Sequence, residues 1–247
     1  MPPPDRPSAI APSRRVALLQ SSYIPWKGYF DIIRAVDPFI FFDDVQFTSR
    51  DWRSRNRIKT AAGPLWLTVP VGSAIHRRIC DVPLPELGWE RRHLRSIVQS
   101  YARAPYLKRW LGLLEWIYLE HRCASLSEFN QRATRALAQE ALGIRTEFRD
   151  SREFEGSGSK LDRLLDVLQR AGASDYLSGP AARDYIDAAR FEQLGIGLAY
   201  QDYAGYPDYG QPHPPFDHQV SVIDLLLTEG PRAPWYIWGW RSSPSPD

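Results

Sequence analysis

The sequence predicts an α/β protein with a mostly parallel, Rossmann-like sheet, a β-hairpin and a helical insertion or subdomain. Short apolar runs without alternation, typical of strands buried on both faces, occur in the first third of the chain, and further strand-like segments follow in the last third. Helical patterns separate these runs, which is the order expected of parallel strands joined by crossover helices. The middle third instead predicts consecutive helices. The 247 residues suit a domain with a sizeable core.

The first third predicts a strand–helix–strand unit. Residues 15–20 (RVALLQ) form an apolar run, and after the corner at Pro25 apolar residues recur at helical spacing from Trp26 to Val36. Residues 38–44 (PFIFFDD) predict a second buried strand that ends in two carboxylates. The unit has about the minimal length of a right-handed crossover connection.

The next segment predicts a β-hairpin followed by helices. Alternation in residues 55–59, a turn signal at residues 61–64 and the apolar residues 65–71 indicate two antiparallel strands. Residues 77–84 predict a further strand. Three helices are then predicted, over residues 89–102, 106–121 and 125–142. The last of them starts with a capping-box pattern at Ser125.

The final third returns to alternating strands and helices. Strands are predicted over residues 144–150, 175–179 and 197–203, and helices over residues 160–171 and 180–187. A loop rich in proline, tyrosine and glycine follows, and it leads into the amphipathic segment 220–230. This order predicts a single α/β domain over residues 14–240, with a helical subdomain at about residues 87–142.

Composition excludes several classes of protein. The net charge is only +2, so a nucleic-acid role would need a local basic patch. The two cysteines cannot build a disulfide framework, which favours a cytoplasmic location. No run of 18 apolar residues predicts a membrane span. Residues 1–13 and 241–247 are predicted to be disordered tails. The oligomeric state is not predicted.

The corner after the first strand is the first candidate site. Ligands of open α/β sheets bind beyond the carboxyl ends of the strands, where helix N-termini expose N–H groups. Tyr23 and Lys27 are candidate catalytic residues there, because a cation in the first turn of a helix is unfavourable unless it meets an anion. The candidate substrate-binding residues of this corner are Gln20, Ser21, Ser22 and Trp26. The alternative is that Lys27 is solvated and Trp26 belongs to the core.

Two consecutive carboxylates, Asp43 and Asp44, form the second candidate site. Carboxylates at the carboxyl end of a strand suit Mg²⁺ ligation, a ribose hydroxyl or general-base catalysis. Consecutive strand residues point to opposite faces, so we expect only one of the two to carry the chemistry. The other would cap the following turn, and the sequence does not distinguish them.

An arginine-rich segment is the third candidate. Five cations oppose the single acid Asp51 within ten residues: Arg50, Arg53, Arg55, Arg57 and Lys59. Because arginine binds phosphate and carboxylate bidentately, an anionic substrate is predicted here. The predicted substrate-binding set from this region is Gln46, Arg50, Arg55, Asn56, Arg57 and Lys59. The alternative is an edge strand protected by charge.

A second strand-to-helix corner predicts the opposite wall of the cleft. Ser178 and Gly179 end a predicted strand directly before a helix that starts at Pro180, and Tyr185 lies one to two turns further on. The flexible segment 156–160 (GSGSK) is a weaker candidate for phosphate contact. The scattered histidines and cysteines have no metal-ligand spacing, so no zinc is expected.

These segments resemble one family. The stretches LLQSSYIPWKGYFDII, DPFIFFDDVQFTSRDWRSRNRIK, WLTVPV, YLSGPAARDYID and FDHQVSVIDLLLTEGP are similar to the WbqC-like family of bacterial proteins, over about residues 15–240. The family pattern has proline where this chain has Ser21 or Ser22, so the corner is altered. The resemblance implies a step in surface-polysaccharide (O-antigen) or secondary-metabolite biosynthesis.

A looser likeness exists to the nucleotidylyltransferase-like α/β enzymes, which hold ATP phosphates with an HxGH-type signature. The segment IPWKGYF keeps a glycine but has no histidine, so Lys27 and the arginine-rich segment would have to substitute. The leading expectation is a transferase that uses an activated, phosphate- or carboxylate-bearing small molecule, with a nucleotide- or CoA-type donor and Mg²⁺ as open questions. The alternatives are a non-catalytic glycan- or protein-binding module and an aminoacyl-tRNA-dependent transferase.

Overall fold

The strands form a parallel central sheet and a separate hairpin. The computed structural model describes residues 13–120 and 122–244; the predicted tail residues 1–12 and 245–247 lie outside this part of the chain. The strands are β1 (Arg15–Leu19), β2 (Phe39–Phe41), β3 (Arg55–Thr60), β4 (Gly63–Thr68), β5 (Phe148–Asp150), β6 (Asp175–Ser178) and β7 (Gly197–Tyr200). The sheet and its covering helices confirm the predicted α/β class.

Helices connect and cover these strands. They are α1 (Lys27–Arg34), α2 (Trp89–Ser100), α3 (Leu107–Glu115), α4 (Leu126–Ala136), α5 (Lys160–Arg170), α6 (Ala188–Gln193), α7 (Val222–Glu229) and α8 (Ala233–Ile237). Two of them, α3 and α4, continue into π-helical turns, Trp116–Glu120 and Leu137–Ala141. The predicted cap of α4 is formed, since Ser125 Oγ accepts from the Glu128 N–H (3.2 Å).

The strand order β5-β2-β1-β6-β7 places a topological switch point between β1 and β6. All four pairings in this sheet are parallel. The chain runs from β1 outward to β2, adds β5 beyond it, and then returns to the other side of β1 to form β6 and β7. In open α/β sheets, ligands bind at the carboxyl ends of the strands where this reversal occurs.

Hydrophobic residues on both faces explain the continuous apolar strands. Ala17 and Phe39 pack on one face with α1, the helical middle region and α7, whereas Val16, Leu18 and Ile40 pack on the other face with α5 and α6. Successive residues of β1 thus enter different cores, as the two-residue period of a strand requires. A helical layer on each face leaves no polar side for the central strands.

The structure differs from the predicted elements in three places, the first being residues 180–187, which are predicted as a helix and form only a 3-10 turn over Pro180–Asp184. Residues 77–84, predicted as a strand, form a 3-10 turn (Ile79–Asp81) flanked by isolated bridges, because Pro83 has no N–H with which to continue a ladder. The segment predicted as amphipathic forms α7, whose residues are all buried. It lies between α3, α8 and β3, so no face of this helix is left for solvent.

The hairpin is joined to the corner after β1. Strands β3 and β4 pair from Arg55↔Thr68 to Thr60↔Gly63. The Asn56 side-chain amide donates to the carbonyl oxygens of Tyr23 (3.1 Å) and Ile24 (2.8 Å). Ile24 has φ +37°, a backbone region that β-branched residues rarely adopt. These hydrogen bonds hold the corner in a strained conformation beside the switch point.

Candidate functional site

A two-lobed cleft opens at the switch point. Its lobes have volumes of about 610 Å³ and about 930 Å³. The residues that line both lobes come from β1, the turn before the hairpin, and the segments after β6 and β7: Leu19, Gln20, Arg53, Gly179 and Tyr203. The cleft therefore brings together the two strand-to-helix corners that the sequence predicts to face each other.

The smaller lobe, here called the aromatic lobe, is lined by ring side chains. The Trp26 indole packs edge-on against Tyr203, with ring centres 4.8 Å apart, and against Tyr206 at 6.1 Å. Tyr29 and Trp52 complete the aromatic part of the wall. Aromatic walls of this kind suit flat rings or the apolar faces of sugars. The indole occupies the space beside Gly28, where a Cβ would lie 2.3 Å from Trp26 Cζ2.

The larger lobe, here called the loop lobe, combines apolar residues of the sheet and of α5 with two loop segments. The loop before α5 and the segment after β6 contribute its walls: Gly158, Ser159, Lys160, Ser178, Pro180, Ala181 and Ala182. Asp44, Gln46 and Tyr185 lie on the same lining, and Tyr185 is 72% exposed. Small residues and backbone at these positions leave room for a ligand to approach the main chain.

Arg53 is the basic side chain that lies at the junction of the two lobes. Its backbone N–H donates to Asp51 Oδ1 (2.9 Å), which fixes the turn before the hairpin. Its guanidinium is 3.7 Å from the Asp51 carboxylate, and its buried Nε has no hydrogen-bond partner among residues 13–120 and 122–244. The sequence includes Arg53 in the basic segment but gives no signal that selects it. The Asp-x-Arg turn that orients it becomes recognisable once the fold is known.

The cations that the sequence selects for anion binding lie elsewhere. Lys27 is buried beside the rings of Tyr206 and Tyr209, 4.9 and 5.3 Å from its Nζ. Burial lowers the pKa of Lys27 to about 8, although Asp208 and Asp224 act in the opposite direction. Lys27 lines neither lobe of the cleft, because its side chain turns into the 204–216 loop.

The basic face of β3 is also committed to structural contacts. Arg55 stacks on Trp66 at 4.3 Å, and Arg57 Nη2 donates to the Gln219 carbonyl oxygen (2.9 Å). Lys59 is 1% exposed and its Nζ donates to the Pro215 carbonyl oxygen. The alternation in the hairpin is as expected, but this face meets the 215–219 loop instead of the cleft. Asn56, on the other face, lines the aromatic lobe.

The paired carboxylates point to opposite sides of the sheet. Asp43 is fully buried and accepts hydrogen bonds from the Ser21 N–H (2.8 Å), Ser127 Oγ and Gln131 Nε2 (3.1 Å). Burial raises the pKa of Asp43, and these donors oppose the shift. Asp43 lines neither lobe, so its contacts indicate a structural role that joins the corner after β1 to α4.

Asp44 faces the loop lobe but is neutralised. Arg163 Nε donates to Asp44 Oδ2 (2.9 Å), and Ser151 Oγ donates to Asp44 Oδ1 (2.5 Å). Arg163 itself is 7% exposed and also donates to the carbonyl oxygens of Ser151 and Phe154. A carboxylate held in this way is a poor general base, because its negative charge is already compensated.

The remaining predicted residues divide between cleft and core. Gln20, Ser22, Gly179 and Ser178 line the cleft. Tyr23 and Ser21 are 0% exposed and lie in the core. The Tyr23 hydroxyl is 2.7 Å from both His93 Nδ1 and the Tyr118 hydroxyl, on the side of α2, so it cannot act on a ligand in the cleft. Arg50 is exposed outside both lobes.

His218 lines the aromatic lobe and lies beside a carboxylate outside its lining, that of Asp208. His218 Nε2 lies 3.2 Å from Asp208 Oδ1, and the buried Nδ1 has no hydrogen-bond partner in the part of the chain that the structure describes. Burial, followed by the nearby Lys27 charge, lowers the pKa of His218. A neutral imidazole whose N–H faces a carboxylate presents its other nitrogen as a base. The sequence gives no spacing signal for this pair.

The described residues that line the cleft form no metal centre. Across the described ranges, no three or more His, Cys, Asp or Glu side chains are grouped so that they could hold a metal ion. Asp43 and Asp44, the residues considered for Mg²⁺, do not share a side of the sheet. Among the helices of residues 13–120 and 122–244, none has the length and apolar character that a bilayer crossing requires.

These features define a Rossmann-like α/β protein with an aromatic, basic cleft at its topological switch point. The chain belongs to the WbqC-like protein family, whose model matches residues 20–236. It is also 42% identical over 226 residues to the uncharacterized protein Rv1507c of Mycobacterium tuberculosis (strain ATCC 25618 / H37Rv); the alignment covers 91% of this chain and 97% of that protein. No solved structure gives a significant match, so the likeness to nucleotidylyltransferase-like enzymes stays a prediction.

Proposed function

We propose that the protein is a transferase that acts on an activated small molecule bearing a phosphate or carboxylate group. The observation that carries the proposal is Arg53 at the junction of the two lobes, with a long ion pair and an unpartnered Nε among the described residues. A guanidinium with unused donors above a crevice is suited to bidentate binding of an anion. The position at the switch point supports a ligand site.

The His218–Asp208 pair supports a role in group transfer. In the proposed step, an acceptor hydroxyl or amine loses its proton to His218 Nδ1 while its oxygen or nitrogen bonds to the transferred group. The bond between that group and the anionic leaving group breaks, and the electron pair stays on the leaving group. Arg53 would stabilise the charge of this leaving group. Asp208 would orient the imidazole and stabilise its protonated form.

Family membership supports the biological setting. We propose that the reaction belongs to surface-glycan or secondary-metabolite biosynthesis and takes place in the cytoplasm, which agrees with the two free cysteines, Cys80 and Cys123. The donors to compare are a nucleotide-linked sugar, an acyl-CoA and an aminoacyl adenylate, because each carries an anionic leaving group.

Calorimetric titration of the full chain with these donors tests the binding part of the proposal. We expect binding that Arg53→Ala weakens by about tenfold or more, the loss of one charge-assisted hydrogen bond. Arg50→Ala is the matched control, because Arg50 belongs to the same segment and lies outside both lobes. If both variants bind equally well, Arg53 does not bind an anion in the cleft.

Turnover measurements test the catalytic part. His218→Gln should keep donor binding within about threefold. It should lower turnover by about 10²- to 10⁴-fold, the usual contribution of general-base catalysis. Asp208→Asn should lower turnover less, because it changes only the orientation and stabilisation of the imidazole. Unchanged turnover in His218→Gln would mean that another group accepts the proton.

A glycan-binding module is the second candidate. Trp52 and Trp66 are 42% and 41% exposed, their ring centres are 5.6 Å apart, and Arg55 stacks on Trp66. Such a platform suits sugar rings without any catalytic step. Binding of plain glycans, lost in Trp66→Ala and independent of Arg53, would favour the module. RNA binding with a steep salt dependence would instead favour the aminoacyl-tRNA-dependent transferase.

A further inference from the structure

We propose that the ligand of the cleft is a nucleoside diphosphate, free or linked to a transferred group, and that the loop lobe binds its phosphates. The base would lie in the aromatic lobe and the diphosphate between Arg53 and the N-terminus of α5. This inference rests on the proposed function and specifies the chemical class of its donor. The lobes share lining residues, so one ligand can occupy both.

The N-terminus of α5 faces the loop lobe. The helix spans eleven residues, so its first-turn N–H groups carry the positive end of a helix dipole. Ser159 is the N-cap residue, but its side chain makes no capping hydrogen bond. The acidic residue of the first turn, Asp162, is paired with Arg190 at 2.8 Å. The Asp162 N–H donates to the Ser159 carbonyl oxygen (3.1 Å), and the amides at the start of a helix are a common phosphate site.

Gly158 lets the loop backbone run close to this helix. Its φ is +99°, and an added Cβ would lie 3.0 Å from Asp162 Cβ. Both the conformation and the space therefore favour glycine. Lys160, the first residue of α5, is exposed and makes no hydrogen bond or ion pair within the described residues. The lining of the lobe thus has a cation that no carboxylate neutralises.

A second wall of the loop lobe independently indicates a ligand. Ser178 is 1% exposed and lines the lobe from the end of β6; its Oγ has no hydrogen-bond partner within 3.5 Å among residues 13–120 and 122–244 and interacts only weakly with the Tyr176 hydroxyl. The Tyr176 hydroxyl, two residues earlier on β6, donates to the Leu18 carbonyl oxygen (3.4 Å). A buried hydroxyl without a partner is costly unless a ligand or water completes its bonding.

The charge balance of the lobe favours an anion. The Asp44 carboxylate is compensated by Arg163, which also pairs with Asp166 at 2.9 Å. Lys160 and Arg53 therefore provide the excess charge on this lining, and both charges are positive. The corner after β1 is not an alternative phosphate site, because the Trp26 indole packs over the first turn of α1 at Gly28.

Calorimetry with UDP, ADP, uridine and inorganic phosphate tests the inference. We expect both diphosphates to bind more tightly than uridine or phosphate alone, since only they fill both lobes. Lys160→Ala should weaken UDP binding by about tenfold and leave uridine binding unchanged, because it removes a charge-assisted contact to phosphate. Ser178→Ala should weaken UDP binding by about threefold. Lys108→Ala, at another exposed lysine, is the matched control.

The outcomes separate this inference from the proposed function. UDP binding that depends on Arg53 but is unchanged in Lys160→Ala and Ser178→Ala would keep the anion cleft and overturn the phosphate site. Binding of acyl-CoA or aminoacyl adenylate without binding of either diphosphate would overturn the nucleoside diphosphate class. If no anionic probe binds, both this inference and the proposed function are wrong. Thermal melting of Ser178→Ala within a few degrees of the unmodified protein confirms that its affinity reports the cleft.

Discussion

The Arg241 guanidinium donates to both oxygens of the Asp31 carboxylate, with distances of 3.1 Å to Oδ1 and 2.8 Å to Oδ2. Asp31 is 3% exposed in α1 and also accepts from the Tyr206 hydroxyl (2.6 Å) and Gln201 Nε2 (2.9 Å). Arg241 falls in the segment that the sequence predicts as a tail, yet here it ends the 3-10 turn Gly239–Arg241. The contact fixes α1, the helix that follows the corner after β1 in the chain.

Removing this contact should destabilise the fold. Arg241→Ala should lower the free energy of unfolding by about 2 kcal/mol, because Asp31 loses its counter-ion but keeps two hydrogen bonds. Urea denaturation followed by circular dichroism measures the change. Arg91→Ala, on the exposed side of α2, should stay within about 0.5 kcal/mol of the unmodified protein. If the two variants are equally stable, the Arg241–Asp31 ion pair contributes nothing measurable to the free energy of unfolding.

A pair of glycine variants tests the packing of the aromatic lobe. Gly28→Ala should cost about 1–3 kcal/mol, because its Cβ would meet the Trp26 indole at 2.3 Å. The displaced indole should also weaken binding of any ring ligand. Gly112→Ala is the control in α3, where the Cβ would meet nothing within 4 Å. This control should stabilise the protein by about 0.5–1 kcal/mol. Equal effects of the two substitutions would mean that the indole moves without cost.

His93 should make stability depend on pH below neutrality. Burial, followed by the charge of Arg92, lowers the pKa of His93 to about 4 in the folded state. Because the unfolded histidine binds its proton near pH 6.5, this part of the stability is complete above that pH and is lost as pH falls towards 4.

Protonation of His93 should lower the free energy of unfolding by about 2 kcal/mol between pH 7 and pH 4.5. Urea denaturation of the unmodified protein and of His93→Gln at both pH values isolates it, since carboxylate effects cancel in the difference. The unmodified protein should lose more stability than the variant. A parallel loss in both would show that His93 titrates normally in the fold.

Lys27 should make the free energy of unfolding depend on pH above neutrality. Its pKa is lowered to about 8 by burial, whereas the unfolded lysine titrates near 10.5. The cost of burying the charge is present below pH 8 and is relieved as pH rises towards 10.5. Relative to Lys27→Met, the unmodified protein should gain about 2 kcal/mol between pH 7.5 and pH 9.5. A constant difference across this range would contradict the shift.

Local patterns predict the central strands because β1 and β2 are buried on both faces. Residues 16–19 and 39–42 are apolar at every position, and they make up most of β1 and all of β2 because helices cover both sides of the sheet. Ligands of open α/β sheets bind beyond the carboxyl ends of the strands, and this rule selects Gln20 and Gly179. Both residues line the cleft. The sheet is predicted correctly because this prediction depends on the strand itself and on its direction, whereas ligand binding by Gln20 and Gly179 stays a prediction.

The face of the hairpin that meets the cleft could not be predicted in the same way. Alternation correctly separates Arg57 from Asn56, but which side contacts the ligand depends on where the 204–219 loop packs. The segment after β7 supplies Tyr203 and His218 to the aromatic lobe from about 180 to 200 residues away from β1 along the chain. Contacts between residues so far apart in the sequence leave no local periodic signal, so the sequence alone does not select His218 as the candidate base.

The switch-point cleft can be completed only late in synthesis. Its lining begins at Leu18 in β1 and ends at Gln219, and the carboxylate of α1 receives its counter-ion from Arg241. A nascent chain released up to the middle helices would contain the Trp26 corner and the hairpin without Gly179, Tyr203 or His218. Ligand binding therefore reports that almost the whole chain has folded, and no half of the sequence should retain it.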